Sequence, residues 1–461
     1  MHQKDLTKGN VFSTMCLFAM PMILGNLLQQ GYNIVDTWVV GNYIGSDALA
    51  AVGSAFTLMT FLTSILLGLC MGSGVVFSIC FGAQDKKRLE REICSAFLLA
   101  SVVALVLMFA SIILVDGIML WLNIPSEIIT MTRSYLFIVF CGIPAIALYN
   151  FFGAYLKALG NSMIPLVFLG VATVINIILD LVLVLVYPLG VAGTAWATII
   201  AQYISGIGIG LYTLIKDDKI RLALRHFNVK KSSLKEIANY SLLTCMQQSV
   251  MNLGILMVQG LVNSFGTAIM AAFAASVKIE AFAYMPVQEY GNAFSTFIAQ
   301  NMGAHQTDRV KQGFRYGVLT SIGYCFVISL VLWFLAKPLV LIFIDAQEAQ
   351  IVAEGIRYLH TVGPFYFGIG CLFLLYGLYR AIGKPGISVL LTIISLGTRV
   401  ALSYVLSAIP QIGVLGIWWS IPIGWILADA AGFLYYRKNK NKLLRCARQK
   451  YFLVLMFSGS E

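Results

Sequence analysis

Apolar stretches long enough to cross a bilayer, about 20 residues each, follow one another along nearly the whole chain. They cover residues 10–40, 53–81, 93–115, 130–156, 163–187, 192–215, 237–263, 269–300, 314–335, 352–379, 387–409 and 414–436. This pattern predicts twelve membrane-spanning helices joined by short loops, with one longer polar segment at 216–236. The polar positions inside the spans are few and ordered. In the first span Asn26, Gln29, Asn33 and Asp36 recur at steps of three and four, a polar stripe on one face of an apolar helix. From Val11 to Tyr43 there is no lysine or arginine, and Asp36 is the single carboxylate. In the fifth span Asn176 and Asp180 stand four apart and share a face.

Composition supports the membrane reading. Of 461 residues, 59% are hydrophobic and 11% charged, whereas soluble domains carry about 25% charged residues. The net charge of +11 would suit a nucleic-acid binder, but its placement argues for topology. Basic residues gather in alternate loops, such as Lys86, Lys87, Arg88 and Arg91, and at the tail. Of 31 lysines and arginines, only Arg133, Lys337 and Arg357 fall on the opposite side, and only Lys278 and Arg399 lie within spans. The positive-inside rule then puts both termini in the cytoplasm of a multi-pass protein of the cell membrane. No nucleic-acid partner is expected. The nine cysteines include no C-x-x-C pair, so neither a metal centre nor a redox site is expected. No small-residue cleavage site follows the first span, which is read as retained.

The chain repeats itself. GSDALAAVGS at 45–54 matches GTAIMAAFAA at 266–275, and GAQDKKRLE at 82–90 matches GAHQTDRVK at 303–311, both at an offset of 221 residues. LKALGNS at 156–162 matches YRAIGKP at 379–385, and GVAGTAWA at 190–197 matches GVLGIWWS at 413–420, both at 223. Each half holds six spans, an even number, so the halves enter the membrane the same way. The expected fold is an all-α membrane protein of two parallel six-helix repeats, or lobes, around a central cavity. The expected divisions are an N-terminal lobe at 1–215, a basic linker at 216–236, a C-terminal lobe at 237–436 and a tail at 437–461.

Val35, Asp36 and Thr37 with Gly41, the ALAAVG at 48–53, the Gly-Ala turns after the second and eighth spans, and NIILD from Asn176 to Asp180 occur in an order that resembles the multidrug and toxic compound extrusion (MATE) family. The resemblance spans essentially the whole chain. It implies a cation-coupled efflux transporter with a cation or proton site in the N-terminal lobe at Asp36, Asn176, Asp180 and Thr198. It also implies a bend of the first helix at Pro21. Some members use a glutamate in the seventh helix; here that stretch reads CMQQS, with Gln247 and Gln248, which speaks against a second coupling site in the C-terminal lobe.

The residues themselves suit that chemistry. Hard monovalent cations require several oxygen ligands, which two carboxylates, an amide and a hydroxyl supply. Two neighbouring carboxylates in a low dielectric cannot both stay ionised and unpaired, so they hold a cation or a proton. The plain alternative is that such groups only join helices by hydrogen bonds, an alternative that fits Asn26 or Thr198 better than a carboxylate in lipid. Gln29, Asn33, Tyr135, Gln202, Gln248, Glu280 and Glu289 are candidates to line a substrate cavity. The expected function is Na⁺- or H⁺-coupled antiport of amphipathic organic cations by a monomer, with no cofactor beyond the coupling ion. A lipid-linked oligosaccharide flippase is the second reading, though only Lys278 and Arg399 could furnish its basic cavity. H-E-x-x-H, G-x-S-x-G and phosphate-binding loops are lacking in the sequence, so an enzyme or an ATP-driven pump is not expected.

Overall fold

The computed structural model describes residues 4–121 and 124–458. In the first half the helices are α1 (Val11–Val39), α2 (Ser46–Gly82), α3 (Lys86–Ile113), α4 (Val115–Trp121), α5 (Ile129–Phe140), α6 (Ile143–Ala158), α7 (Met163–Leu181) and α8 (Gly190–Lys216). A short α9 (Asp218–Arg225) leads to α10 (Lys231–Asn263), α11 (Thr267–Gly303), α12 (Thr307–Val340), α13 (Ala349–Val362), α14 (Tyr366–Ala381), α15 (Pro385–Ser407) and α16 (Val414–Ser458). No strand occurs among the described residues. Inside a bilayer this follows from the backbone, because a helix satisfies its own N–H and C=O groups where no water can.

Among the described residues, eleven helical stretches are long and apolar enough to cross a membrane, and α5 with α6 form a further pair bent by 40°. The bend sits at Cys141-Gly142, with Pro144 in the first turn of α6. Proline has no N–H to donate back to the preceding turn, and its ring crowds the carbonyl four residues earlier. The corresponding span of the second half also breaks, as a single 3₁₀ turn at Gly363–Phe365 around Pro364. The spans match the apolar stretches but run further at polar ends, as in α3 and α12, because the helical backbone continues past the hydrocarbon. The linker is not plain coil either. Asp217 caps α9 by accepting from the Lys219 N–H at 3.0 Å and also accepts from the Tyr155 hydroxyl at 2.9 Å. Ile220 and Ala223 turn inward. The tail continues α16 without a break as far as Ser458, and residues 459–461 lie outside the described residues.

The backbone repeats as the sequence does. Positive φ angles pair Gly45 with Gly266 and Gln84 with His305 at an offset of 221, then Gly160 with Gly383 and Gly190 with Gly413 at 223. Gln84 and His305 both sit at φ 58°, a left-handed conformation uncommon for residues with a side chain. The same strained turn therefore recurs at the same place in both halves.

The chain divides into two compact units, and the division falls inside helices. One unit comprises Met1–Asp5 and Leu24–Cys245; the other comprises Leu6–Ile23 and Met246–Glu461. In the repeat register the two cuts, after Ile23 and after Cys245, lie one residue apart. The first unit therefore includes the start of α10, and the second includes the start of α1.

In the first unit α2 holds the start of α10 through Gly68 and Gly72. A Cβ at Gly68 would lie 2.5 Å from the Cys245 Cα, and one at Gly72 2.6 Å from the Ser241 Cα. The Ser241 hydroxyl donates to the Leu69 carbonyl at 2.8 Å and lies 3.0 Å from the Ser73 hydroxyl. This is the small-xxx-small packing that lets two membrane helices touch backbone to backbone.

Two predictions follow from this architecture. Gly72→Ala forces α2 and α10 apart and should destabilise the protein by about 1–3 kcal/mol, read as a lower unfolding temperature in detergent. Gly53→Ala, with nothing within 4 Å of the added Cβ, should leave that temperature unchanged. In a background without native cysteines, cysteines placed at Asn228 and Ser126 should react with impermeant thiol reagents from opposite sides of the membrane; reaction from one side would reject the six-plus-six layout.

Candidate functional site

The first unit gathers its membrane-embedded polar groups on α1, α5, α7 and α8. Asp36 of α1 and Asp180 of α7 have carboxyls within hydrogen-bonding reach of each other. A carboxylate only accepts, so two of them meet in this way only with a proton or a cation between them. Among the described residues, Asp36 Oδ1 and both Asp180 oxygens are buried without a donor. Asp180 is wholly buried and Asn176, one turn earlier on the same face, is 2% exposed, with both its amide atoms unpartnered. Buried polar atoms without partners are scarce in folded proteins, and five of them belong to Asp36, Asn176 and Asp180.

Three further side chains close on that pair. Thr198 of α8 is buried, with its hydroxyl 3.4 Å from the Tyr32 hydroxyl. Tyr32 stands one helical turn before Asp36 and lies near both carboxylates. Tyr135 of α5, also buried, faces Asp36, Tyr32 and Asp180. Gln202, one turn beyond Thr198, packs its Oε1 over Gly142, where a Cβ would come within 2.7 Å; that oxygen is buried without a donor. The described structure thus brings together Asp36, Asn176, Asp180, Thr198 and Tyr135 from the sequence pattern and adds Tyr32. A tyrosine in an apolar helix reads as packing, and only its four-residue spacing from Asp36 hints otherwise.

Both carboxylate helices end irregularly. A π-helical turn, Val40–Ile44, follows α1, and another, Val182–Val186, follows α7. The two turns pack on each other and on α8. Such turns leave the regular i→i−4 ladder and are frequent at functional sites. The matching helix ends of the second half, in α10 and α15, carry none among the described residues.

The remaining candidates are dispersed. Gln29 is exposed and Asn33 half-buried on α1, while Pro21 is buried inside α1 but in the second unit. Gln248 is buried in the second unit. Glu280 accepts a 2.7 Å bond from the Tyr358 hydroxyl, with Tyr366 and Arg399 close by. Glu289 Oε1 accepts from Asn292 at 3.2 Å, and the Asn292 Oδ1 accepts from Arg380 at 3.2 Å. Arg380, placed by sequence in a loop, is buried at 4% exposure. In the repeat register Arg399 stands opposite Asn176 and Ser403 opposite Asp180. Ser403 is wholly buried and shares a 2.7 Å hydrogen bond with Ser420. The second unit thus has no paired carboxylates at the equivalent place.

Known proteins resemble this chain over nearly its whole length. The MatE family pattern matches residues 21–182 and 241–405, one stretch in each repeat. A probable multidrug resistance protein of Bacillus subtilis, YpnP, is 30% identical over 452 residues, covering 98% of this chain and 100% of the relative. The multidrug export protein MepA of Staphylococcus aureus is 24% identical over 443 residues, covering 95% and 96%. A solved structure described as the outward-facing conformation of a multidrug resistance MATE family transporter superposes with a TM-score of 0.90 at 20% identity, covering 96% of this chain and 99% of that one. A duplicated six-span scaffold, a carboxylate pair on the first and fifth spans, and a family pattern matched in both halves lead to one conclusion: the chain belongs to the MatE family of multi-pass membrane transporters.

Proposed function

We propose that this protein is a secondary active multidrug efflux transporter, exchanging Na⁺ or H⁺ for amphipathic organic cations by alternating access. It acts as a monomer in the cell membrane with both termini cytoplasmic. One observation carries the reading: Asp36 and Asp180 meet inside an apolar helix bundle with oxygens that no described donor satisfies. A carboxylate at mid-bilayer costs about 2.5–3.5 kcal/mol on insertion scales, so a purely structural pair is a poor solution. A pair that alternately takes up and releases a cation or proton explains both the charge and the unpartnered atoms. The curated relatives, named as multidrug resistance and export proteins, support the substrate class.

Within this mechanism Asp36, Asn176, Asp180 and Thr198 hold the coupling ion, with Tyr32 and Tyr135 closing the site from two further positions. Occupancy redraws the packing of α1, α7 and α8. Because α1 runs from the first unit into the second, with Pro21 near the division, a change at Asp36 passes along one continuous helix. The resulting shift between states is limited to the ion's differential affinity for them. Catalysis of bond making or breaking plays no part in this cycle.

Efflux of a fluorescent organic cation from proteoliposomes should accelerate under an imposed Na⁺ gradient or an imposed pH gradient; acceleration by neither rejects the reading. Asp36→Asn keeps the shape and removes the charge. It should reduce gradient-driven efflux to the level of empty vesicles while expression and substrate binding persist, and wild-type efflux would make Asp36 structural. Asp180→Asn should behave alike, and the double variant should be little worse than either, because the two carboxylates act as one unit. Ser403→Ala, at the equivalent place in the second half, should leave coupling intact.

A further inference from the structure

The repeated turn after the second and eighth spans places an arginine at the same register in each half. Arg88 and Arg309 are 221 residues apart, as are the left-handed Gln84 and His305 four residues before them. Each arginine opens a helix, α3 or α12, and each grips the start of the other repeat's first helix within its own unit.

In the second unit the Arg309 guanidinium holds the chain leading into α1. Its Nη1 donates to the Gly9 carbonyl at 2.7 Å, and its Nη2 donates to the carbonyls of Leu6 at 3.1 Å and Lys8 at 3.2 Å. Its Nε donates to Asn301 Oδ1 at 3.0 Å, and the Asn301 amide donates to the Leu6 carbonyl at 3.2 Å. The Leu6 N–H donates to Gln300 Oε1 at 3.2 Å, and its side chain is wholly buried. In the first unit Arg88 holds the first turns of α10. Its Nη2 lies 2.9 Å from Glu236 Oε2, with side-chain exposures of 6% and 21%. Asp85 fixes the arginine's own backbone by accepting from its N–H at 3.0 Å. Glu92, buried at 2%, lies beside the same guanidinium. The chemistry differs, carbonyl oxygens in one unit and carboxylates in the other, and so does the point of attachment: Arg309 holds residues just ahead of α1, whereas Arg88 holds Glu236 in the first turns of α10.

We propose that Arg88 and Arg309 are duplicate positioning residues for transport, each fastening the start of the opposite repeat's first helix to its own unit. Arginine suits the task because its planar fork reaches several acceptors at once, which a lysine ammonium does not reproduce. With the helix starts fastened, any relative displacement of the units has to be absorbed inside α1 and α10, at Ile23–Leu24 and Cys245–Met246. This fastening couples the ion-binding half of α1 to the unit that holds its start. The inference rests on the transport cycle proposed above.

The experiment uses the full-length protein without native cysteines, carrying spin-label pairs at Ser13 with Gln312 and at Lys87 with Ser232. Both wild-type pairs should give narrow distance distributions. Arg309→Gln should broaden only the first pair, and Arg88→Gln only the second. Each variant should lose about tenfold or more in efflux turnover while substrate affinity in detergent stays at the wild-type value, and the unfolding temperature should fall only by the few degrees expected of a lost charge-assisted hydrogen bond. The exchanged pair Arg88→Glu with Glu236→Arg should recover turnover, and Arg309→Lys should recover only part. Unbroadened distances, wild-type turnover in either single variant, or turnover lost in step with thermal stability and not recovered by the exchange would overturn the proposal. A wild-type protein with no efflux at all would instead reject the transporter reading, and the distance measurements would still decide whether the two arginines act as fasteners.

Discussion

Placing two carboxylates against each other where hydrocarbon replaces water is the constraint on which the first unit depends. Coulomb repulsion between like charges grows as the dielectric falls, and no described basic side chain hydrogen-bonds to either Asp36 or Asp180. The unit surrounds them instead with neutral dipoles: the Asn176 amide, the Thr198 and Tyr32 hydroxyls and the Tyr135 ring. On the transport cycle proposed above, neutral ligands leave the balance of charge to the ion or proton that enters. A resident arginine would have made the same carboxylates permanent structure.

The second unit shows the contrasting solution. Glu280 is satisfied by Tyr358 with Arg399 nearby, Glu289 is linked through Asn292 to Arg380, and Ser403 bonds Ser420. Arg399 occupies the register of Asn176. A guanidinium tethered to the backbone at that position provides charge without exchange. The duplication preserved helices, turns and left-handed residues, while the ionisable groups diverged: one half keeps a carboxylate pair without donors, and in the other Glu280 and Glu289 are hydrogen-bonded.

Much of this was legible in the sequence, for identifiable reasons. Spans follow from hydrophobic length, and the repeat from turns whose geometry only certain residues tolerate; the Gly160 and Gly383 pair and the Gln84 and His305 pair appear as matching strings and then as matching φ angles. Asp36, Asn176 and Asp180 stand out because polar groups in lipid-length helices are rare. Tyr32 does not, since its ring suits an apolar helix whether or not its hydroxyl is used. Arg380 reads as a loop cation because nothing local reveals that Asn292, far away in sequence, receives it. The π-helical turns after Asp36 and Asp180 have no compositional signature: VGNYI and VLVLV share little beyond a leading valine. The division of units inside α1 and α10 is invisible to any reading that cuts a chain at its linkers, because it arises from packing between segments distant in sequence.

That division has a bearing on how such a chain could have arisen. Each unit is completed by a helix start supplied by the other repeat, which is the form of a domain swap. A six-span protein with the same packing would close each unit only by borrowing from a second copy the segment that corresponds to Leu6–Ile23. In this chain the segment between Lys216 and Lys231 joins the two repeats, so the reciprocal loan is made within a single polypeptide. Joined in one chain, the two copies need not be identical, and only the first carries the carboxylate pair: Met257 and Ser403 stand where Asp36 and Asp180 stand.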